Sequence, residues 1–355
     1  MVPGSVRRVA PALAFVLGLL GACGPPAVPD AEDAGELEAP PSPARASAFG
    51  RLDFGHAPPG LDGLDARACA ACHAEHADEW RASAHGRAFV DPLFVEEWSG
   101  QSFCSDCHAP RAGDPSREPE LAAAGVDCAT CHVREGVVYA SEVSGDAPHP
   151  SVADPTRAGV SLCATCHQFG FPHDPDQALQ NTVVEWEASG ATHGCAHCHA
   201  PQRGGHTDHR FPGHRDPELL ARALIVEGSA TRDGWSTDVQ LELRANRVEH
   251  AVPTGDVFRR LVVRAWVEGR EGNAASVTLG RRFDVAEDGT QRAAEDERVP
   301  PPGQGERVVA LRIPDSGPRI LWSIDLWSLD PRNARRFDQD VTLHTRMAQG
   351  AITSR

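Results

Sequence analysis

Hydrophobic positions are spread unevenly along the chain, and each stretch predicts something different. Residues 9–20 form an apolar run behind Arg7 and Arg8. The run is too short to span a bilayer and has the layout of a secretory signal. From Gly24 to about Ala48, Pro, Ala, Asp and Glu dominate and there is almost nothing to bury, which predicts a flexible tether. Between about Arg51 and Arg222 no apolar periodicity is sustained. The expectation there is short helices joined by loops such as Ala57-Pro58-Pro59-Gly60, without a sheet of any size. From about Leu224 the pattern changes. Val239, Leu241, Leu243 and Ala245 alternate with polar residues, and residues 261–267, 308–313 and 320–327 are further β-type runs separated by Gly, Pro and Asp. This predicts an all-β, sandwich-like C-terminal domain. Trp266, Trp322 and Trp327 fall in those strands and read as core residues rather than as a carbohydrate platform. The expected division is a signal at 1–22, a tether at 23–50, an α-helical and irregular domain at 51–222, and a β domain at 223–355.

The irregular stretch holds the most specific chemistry. Ten of the eleven cysteines form five copies of Cys-x-x-Cys-His: Cys69, Cys72 and His73; Cys104, Cys107 and His108; Cys128, Cys131 and His132; Cys163, Cys166 and His167; Cys195, Cys198 and His199. This is the attachment signature of c-type haem. Two thiols add across the vinyl groups of one porphyrin, and the adjacent imidazole reaches the iron from one face. The bland alternatives are a thioredoxin-like pair or a zinc site. Zinc closes four ligands into one tetrahedron, whereas five separate Cys2His triplets each leave a position unfilled. The expectation is five covalent haems c. First cysteines follow one another at 35, 24, 35 and 32 residues, so little protein surrounds each cofactor and the porphyrins must form much of the core.

The eleventh cysteine closes the sequence Leu20-Gly21-Ala22-Cys23, which resembles a bacterial lipobox. That resemblance implies a lipid anchor on Cys23 after removal of the signal. Gly24 in place of an acidic residue favours the outer membrane, with the body facing the periplasm or the cell surface.

Of the 17 histidines five belong to the attachment motifs, which leaves twelve for other roles. Met1 and Met347 are the only methionines, so His/Met ligation, which raises haem potential, is available to one haem at most. Mostly bis-His, low-potential haems are expected. Trp80-x-x-Ser83-x-His85 resembles a run in multihaem cytochromes c related to the tetrahaem electron carriers of nitrifying bacteria, where the His is a distal ligand. Asn246-x-x-x-His250-x-x-Pro253-Thr254-Gly255 is similar to the segment that joins the haem and β parts of bacterial multihaem cytochromes. The resemblance implies distal ligation by His85 and His250. It also points to His149 in Pro148-His149-Pro150 and to His209 or His214, without choosing between the last two. His193 and His173 are further candidate ligands, whereas His56, His76 and His206 read as ordinary surface or hydrogen-bonded histidines. His197 should face away from its own iron, and His344 reads as structural. The resemblance spans about Asp65 to Gly255. A fifth haem and an added C-terminal domain depart from the tetrahaem carriers.

The formal charge of −16, before haem propionates are counted, excludes a nucleic-acid partner and suits docking with basic redox proteins. Two functions fit. One is an electron carrier between redox partners in the periplasm or at the outer membrane. The other is a multihaem reductase or oxidase of a small nitrogen or sulfur species with one open iron. The second finds no support in two familiar signs: the chain has no Lys to replace a proximal His, as in pentahaem nitrite reductases, and Tyr139 is its single tyrosine. A third possibility is a structural subunit whose β domain docks a partner complex.

Overall fold

The computed structural model describes residues 55–98, 100–154, 159–172, 174–286, 291–334 and 343–355. The apolar N-terminal run, Cys23, the tether and His173 lie outside these residues. Among the described residues no helix is long and apolar enough to cross a membrane.

Short helices carry four of the five attachment motifs whole; in the first, Cys69 is helical, Cys72 lies in the turn that follows and His73 caps the next helix. In order the helices are α1 (Ala66–Ala70), α2 (Ala74–Ala82), α3 (Pro92–Glu97), α4 (Ser102–His108), α5 (Pro119–Ala123), α6 (Cys128–His132), α7 (Val160–His167), α8 (Thr182–Ala188), α9 (Cys195–His199) and α10 (Pro217–Leu220). Helical spacing places the first Cys, second Cys and His of a motif at i, i+3 and i+4, which is one face. Polar caps start several of them. Asp65 accepts from the Arg67 and Ala68 amides at the head of α1, and Asp127 from the Thr130 amide at the head of α6. Asp127 is fully buried and paired with Arg111 at 3.3 Å. Burial raises its carboxyl above the ordinary value, and the Arg111 guanidinium works against that shift.

Only small sheets interleave with these helices. β1 (Val133–Arg134), β2 (Val137–Ala140) and β3 (Ser151–Ala153) form one; β4 (Gln168–Phe171) pairs with β5 (Asp174–Asn181), and β6 (Gln202–Arg203) with β7 (His206–Thr207). Gln168 is fully buried between α7 and α8. Its side-chain carbonyl accepts from the Val183 and Val184 amides, satisfying the first turn of α8.

The alternation after Leu224 becomes strands as its period requires. β8 (Leu224–Asp233), β9 (Ser236–Ala245) and β14 (Arg307–Ile313) form an antiparallel sheet with β9 central. β10 (Arg260–Val267), β11 (Ala275–Leu279), β15 (Arg319–Trp327) and β16 (His344–Thr353) form a second, in the order β11-β10-β15-β16. β12 (Arg281–Val285) and β13 (Gln291–Asp296) make a separate hairpin. Inward residues of both large sheets, Leu241, Leu243, Leu261, Val263, Ile313, Ile320 and Ile324, share one core. Met347 is buried in that core too, among β-strand side chains. Trp322 is buried there, and Trp266 and Trp327 are half-buried.

Direct polar bonds join the two halves. Glu185 of α8 and Arg298, with side chains 6% and 7% exposed, are 2.7 Å apart. Thr254 donates its hydroxyl to Glu185 at 2.5 Å. Arg281 donates to the carbonyls of Ala178 and Leu179 in β5, and the Ala293 amide donates to Gln177. The β12–β13 hairpin is thereby fastened to the helical half.

Candidate functional site: one cavity lined by every attachment motif

A single continuous cavity of about 2450 Å³ runs through the helical half. All ten motif cysteines and all five motif histidines line it, together with His76, His85, His149, His193, His206, His209, His214 and His250. Divided among five motifs it offers each about 490 Å³, within the range of roughly 300–1,000 Å³ typical of cofactor sites. The donor set is thiol pairs with imidazoles, which is the set that covalent haem requires, so the residues present fit that group.

The motifs are not arranged in chain order. The Cys69 and Cys128 thiols are near neighbours, as are Cys107 with Cys166 and Cys163 with Cys195, each pair close enough for one thiol to shift the acidity of the other. Cys131 is electrostatically coupled to Cys166. The first motif therefore lies against the third, the third beside the fourth, and the fourth touches both the second and the fifth. Burial holds Cys131 up at about 11.

Two imidazoles on opposite sides of one metal ion, each with its nitrogen about 2 Å from it, hold their ring centroids roughly 6–6.5 Å apart. Three pairs of histidines across the cavity have this spacing. His132 and His209 are 6.1 Å apart, His85 and His167 6.2 Å, and His199 and His250 6.4 Å. In each pair one member belongs to an attachment motif and the other does not.

Hydrogen bonds to carbonyls set which nitrogen is free. The Nδ1 of His132 faces the Tyr139 carbonyl at 2.8 Å, that of His209 Thr207 at 2.7 Å, that of His199 Pro212 at 2.6 Å, that of His250 Ala251 at 2.8 Å, and that of His108 Ala88 at 2.7 Å. A carbonyl can only accept, so Nδ1 carries the proton and the Nε2 lone pair is left for a metal. Burial favours the neutral ring as well. It lowers His85 and His250 to about 4 and His167 to about 3, with neighbouring histidines and arginines adding to the effect.

The Trp-x-x-Ser-x-His run owes its residue types to a turn. Trp80 donates Nε1–H to the Val126 carbonyl at 2.8 Å. Ser83, 2% exposed, donates to the Trp80 carbonyl and accepts from the Gly86 amide. The Val126 amide then donates to the His85 carbonyl at 3.0 Å, which fixes the backbone that carries the imidazole. Gly125 has φ +63°, and a Cβ there would lie 2.5 Å from the His85 carbonyl oxygen. Gly125→Ala is expected to cost more than about 1 kcal/mol, read as a lowered thermal midpoint. The Asn246 side chain and amide reach the Arg222 and Ala223 carbonyls, so the segment leading to His250 is pinned at the junction of the two halves.

Residues 207–214 serve three places in turn. His209 faces His132, while its amide donates to Glu79 at 2.8 Å. Asp208 is clamped by Arg210 and Arg203, with the Arg210 bond the main reason its carboxyl stays at about 2. Phe211, at φ +48°, sets its ring 4.7 Å from His85 and 5.7 Å from His209. Pro212 orients His199. His214 is held differently. The Arg259 Nη2 lies 3.3 Å from its Nδ1, and burial with the Arg259 and Arg215 charges presses the ring down to about 2. A guanidinium can only donate, so on His214 the proton sits on Nε2 and the free lone pair is used. His209 and His214, which the sequence leaves as alternatives, thus differ in the partner of Nδ1.

The remaining candidates are distributed as follows. His149 lines the cavity with Nδ1 2.9 Å from the Ser151 hydroxyl. His193 bonds Glu249 at 3.0 Å and stacks on His197 at 4.3 Å. His76 packs against His206 at 4.2 Å, and His206 bonds Glu79 at 2.9 Å. His344 stacks on Trp327. Sequence reading misses the carbonyls that orient the imidazoles, because a carbonyl has no residue signature. It also misses Arg259, Arg215 and the Phe94 ring stacked on His108 at 4.0 Å.

Known proteins place this arrangement. The chain has the fold of a multihaem cytochrome c. It superposes on the penta-haem cytochrome c552 from Thermochromatium tepidum with a TM-score of 0.64 and 20% identity, over 81% of this chain and 98% of that one. A Danio rerio Fcho1 Mu homology domain with bound Eps15 peptide aligns at a TM-score of 0.18, over 39% of this chain and 52% of that one, and carries no argument. No family model matches the chain, and no curated protein matches it.

Proposed function

We propose that this protein is an exported pentahaem c-type cytochrome, lipid-anchored through Cys23 to the outer membrane, that passes electrons between redox partners. The observation that carries the reading is the convergence of five Cys-x-x-Cys-His motifs on one cavity, with non-motif imidazoles 6.1–6.4 Å from three of their histidines. Each thiol pair would hold one haem, and His73, His108, His132, His167 and His199 would bind the five irons from one side. His209, His85 and His250 would close the third, fourth and fifth from the other. His149 and His193 remain candidate ligands. Bound haem would supply one-electron redox chemistry, and the neighbouring motifs would hold the groups near one another. The contacts between motifs give a branched route, with the fourth motif meeting the second, third and fifth. Residues 223–355 would form the sandwich-like β domain, contribute His250 to the haem region and offer a docking surface. The acidic body would meet partners with basic faces.

Mass spectrometry and a pyridine haemochromogen assay of the exported protein should give five haems per chain. Five attached haems with His209→Ala, His85→Ala or His250→Ala each converting one low-spin haem to high-spin is the expected result, read by electron paramagnetic resonance. Fewer than five haems, or zinc bound by the motif cysteines, rejects the reading; unchanged spectra in the variants reject the ligand assignments alone.

A further inference from the structure

Helix α2 starts directly after His73, and its Glu75 and Glu79 stand one turn apart on the same face. Like charges at that spacing work against a helix unless something positive lies between them. The group set against them is His206 of β7, 127 positions beyond Glu79. One ligand atom from each of Glu75, Glu79 and His206 lies within 4.8 Å of the other two, so the three share one point in space. Glu75 is 78% exposed, whereas Glu79 and His206 are 18% and 22% exposed, so the point opens to solvent on one side and is backed by protein on the other. His206 borders the large cavity, but neither carboxylate lines it: the group stands at the outer wall, apart from the space assigned to haem.

The two nitrogens of His206 are used differently. Nε2 donates to a Glu79 oxygen at 2.9 Å. A neutral ring then keeps its lone pair on Nδ1, and Nδ1 faces the Glu75 Oε2 at 3.9 Å. That separation is too long for a hydrogen bond, and a lone pair and a carboxylate oxygen repel. Two bonds of roughly 2.0–2.2 Å through a cation bridge the same gap with little movement. A doubly charged ion also cancels the two carboxylates and relieves their repulsion along α2. The imidazole selects among such ions, because calcium and magnesium take oxygen ligands whereas zinc takes nitrogen and oxygen together. Three protein ligands with a fourth position toward solvent is the layout of an open zinc site. Glu79 extends the effect inward: its Oε2 accepts from the His209 amide at 2.8 Å, and His209 faces His132.

We propose that Glu75, Glu79 and His206 bind a divalent transition-metal ion of the zinc type at the outer wall beside the first motif. The ion clasps α2 to β7 and steadies the segment that presents His209. Metal binding here is independent of the haem count; only its influence on His209 as a ligand rests on the haem reading above.

The test uses the full-length haem-loaded protein, stripped of loose ions with a chelator and titrated with zinc chloride by isothermal calorimetry. One zinc per chain is expected at this site. Glu75→Gln, which changes an exposed side chain at nearly constant size, should weaken it tenfold or more, and His206→Ala should abolish it. Should His206→Ala fold poorly, Glu75→Gln carries the test alone. Added zinc should slow amide hydrogen exchange chiefly in residues 74–82 and 206–209. No zinc uptake overturns the proposal and leaves His206 as an imidazolium between two carboxylates. Equal affinity in wild type and Glu75→Gln overturns it too, by marking an adventitious ion elsewhere on the chain, as does calcium bound more tightly than zinc. A chain that takes up zinc here but carries fewer than five haems supports the metal site and sinks the haem reading instead.

Discussion

Replacing both Cys163 and Cys166 by Ala is expected to divide the protein electrically. On the five-haem reading, one haem is lost by mass. A donor that delivers electrons at the first motif should then reduce only two of the remaining four haems quickly, those of the first and third motifs. The reason is positional: thiols of the fourth motif touch the second and fifth motifs and lie beside the third, whereas the first motif touches the third. The control is Cys195→Ala with Cys198→Ala, which removes a haem at the far end of the route and should leave the other four in rapid exchange. Stopped-flow reduction followed in the haem absorption bands distinguishes the two variants. Equal behaviour would mean that the motif contacts do not define the route.

Arg298→Ala is expected to loosen the join between the halves and to lower overall stability by about 3–5 kcal/mol, because it strands Glu185 as a buried, uncompensated carboxylate. A thermal midpoint lower by roughly 5–15 °C follows for a chain of this size. Both side chains are almost fully buried, so solvent screening does little for the remaining charge. The double variant Arg298→Met with Glu185→Leu should recover most of the loss, since it removes the charge along with its partner. For comparison, Arg312→Ala breaks pairs with Asp233 and Asp238 whose side chains are more than half exposed, and should cost no more than about 1 kcal/mol. Parallel melts followed in the far ultraviolet and in the haem band would show whether the two halves come apart together. A midpoint unchanged by Arg298→Ala would show that the buried pair does not hold them.

The attachment motifs are fully legible in the chain because their chemistry is local. A thiol, a second thiol three residues on and the next imidazole are close neighbours along the chain, on one helix face in four of the five motifs, so no tertiary information is needed to read them. The β runs are legible for a similar reason: Val239, Leu241 and Leu243 alternate with polar residues and end 2%, 0% and 0% exposed in one core. Met347 is visible in sequence as a possible sixth ligand, yet it lies in that β core, where the surrounding strands bury it.

What the sequence by itself determined is therefore the stock of reactive groups, the helical and β halves and the strongly acidic charge. Only the tertiary structure decided who faces whom. His132 meets His209, His167 meets His85 and His199 meets His250 across separations of 77, 82 and 51 positions, and no local spacing encodes contacts so remote. The difference between His209 and His214 was also tertiary. Both sit in one short loop with the same side chain, but a carbonyl at Nδ1 frees the Nε2 lone pair of His209, whereas the Arg259 guanidinium at Nδ1 puts the proton on Nε2 of His214. The partner of one nitrogen, supplied by chain folded in from elsewhere, sets the chemistry of the other.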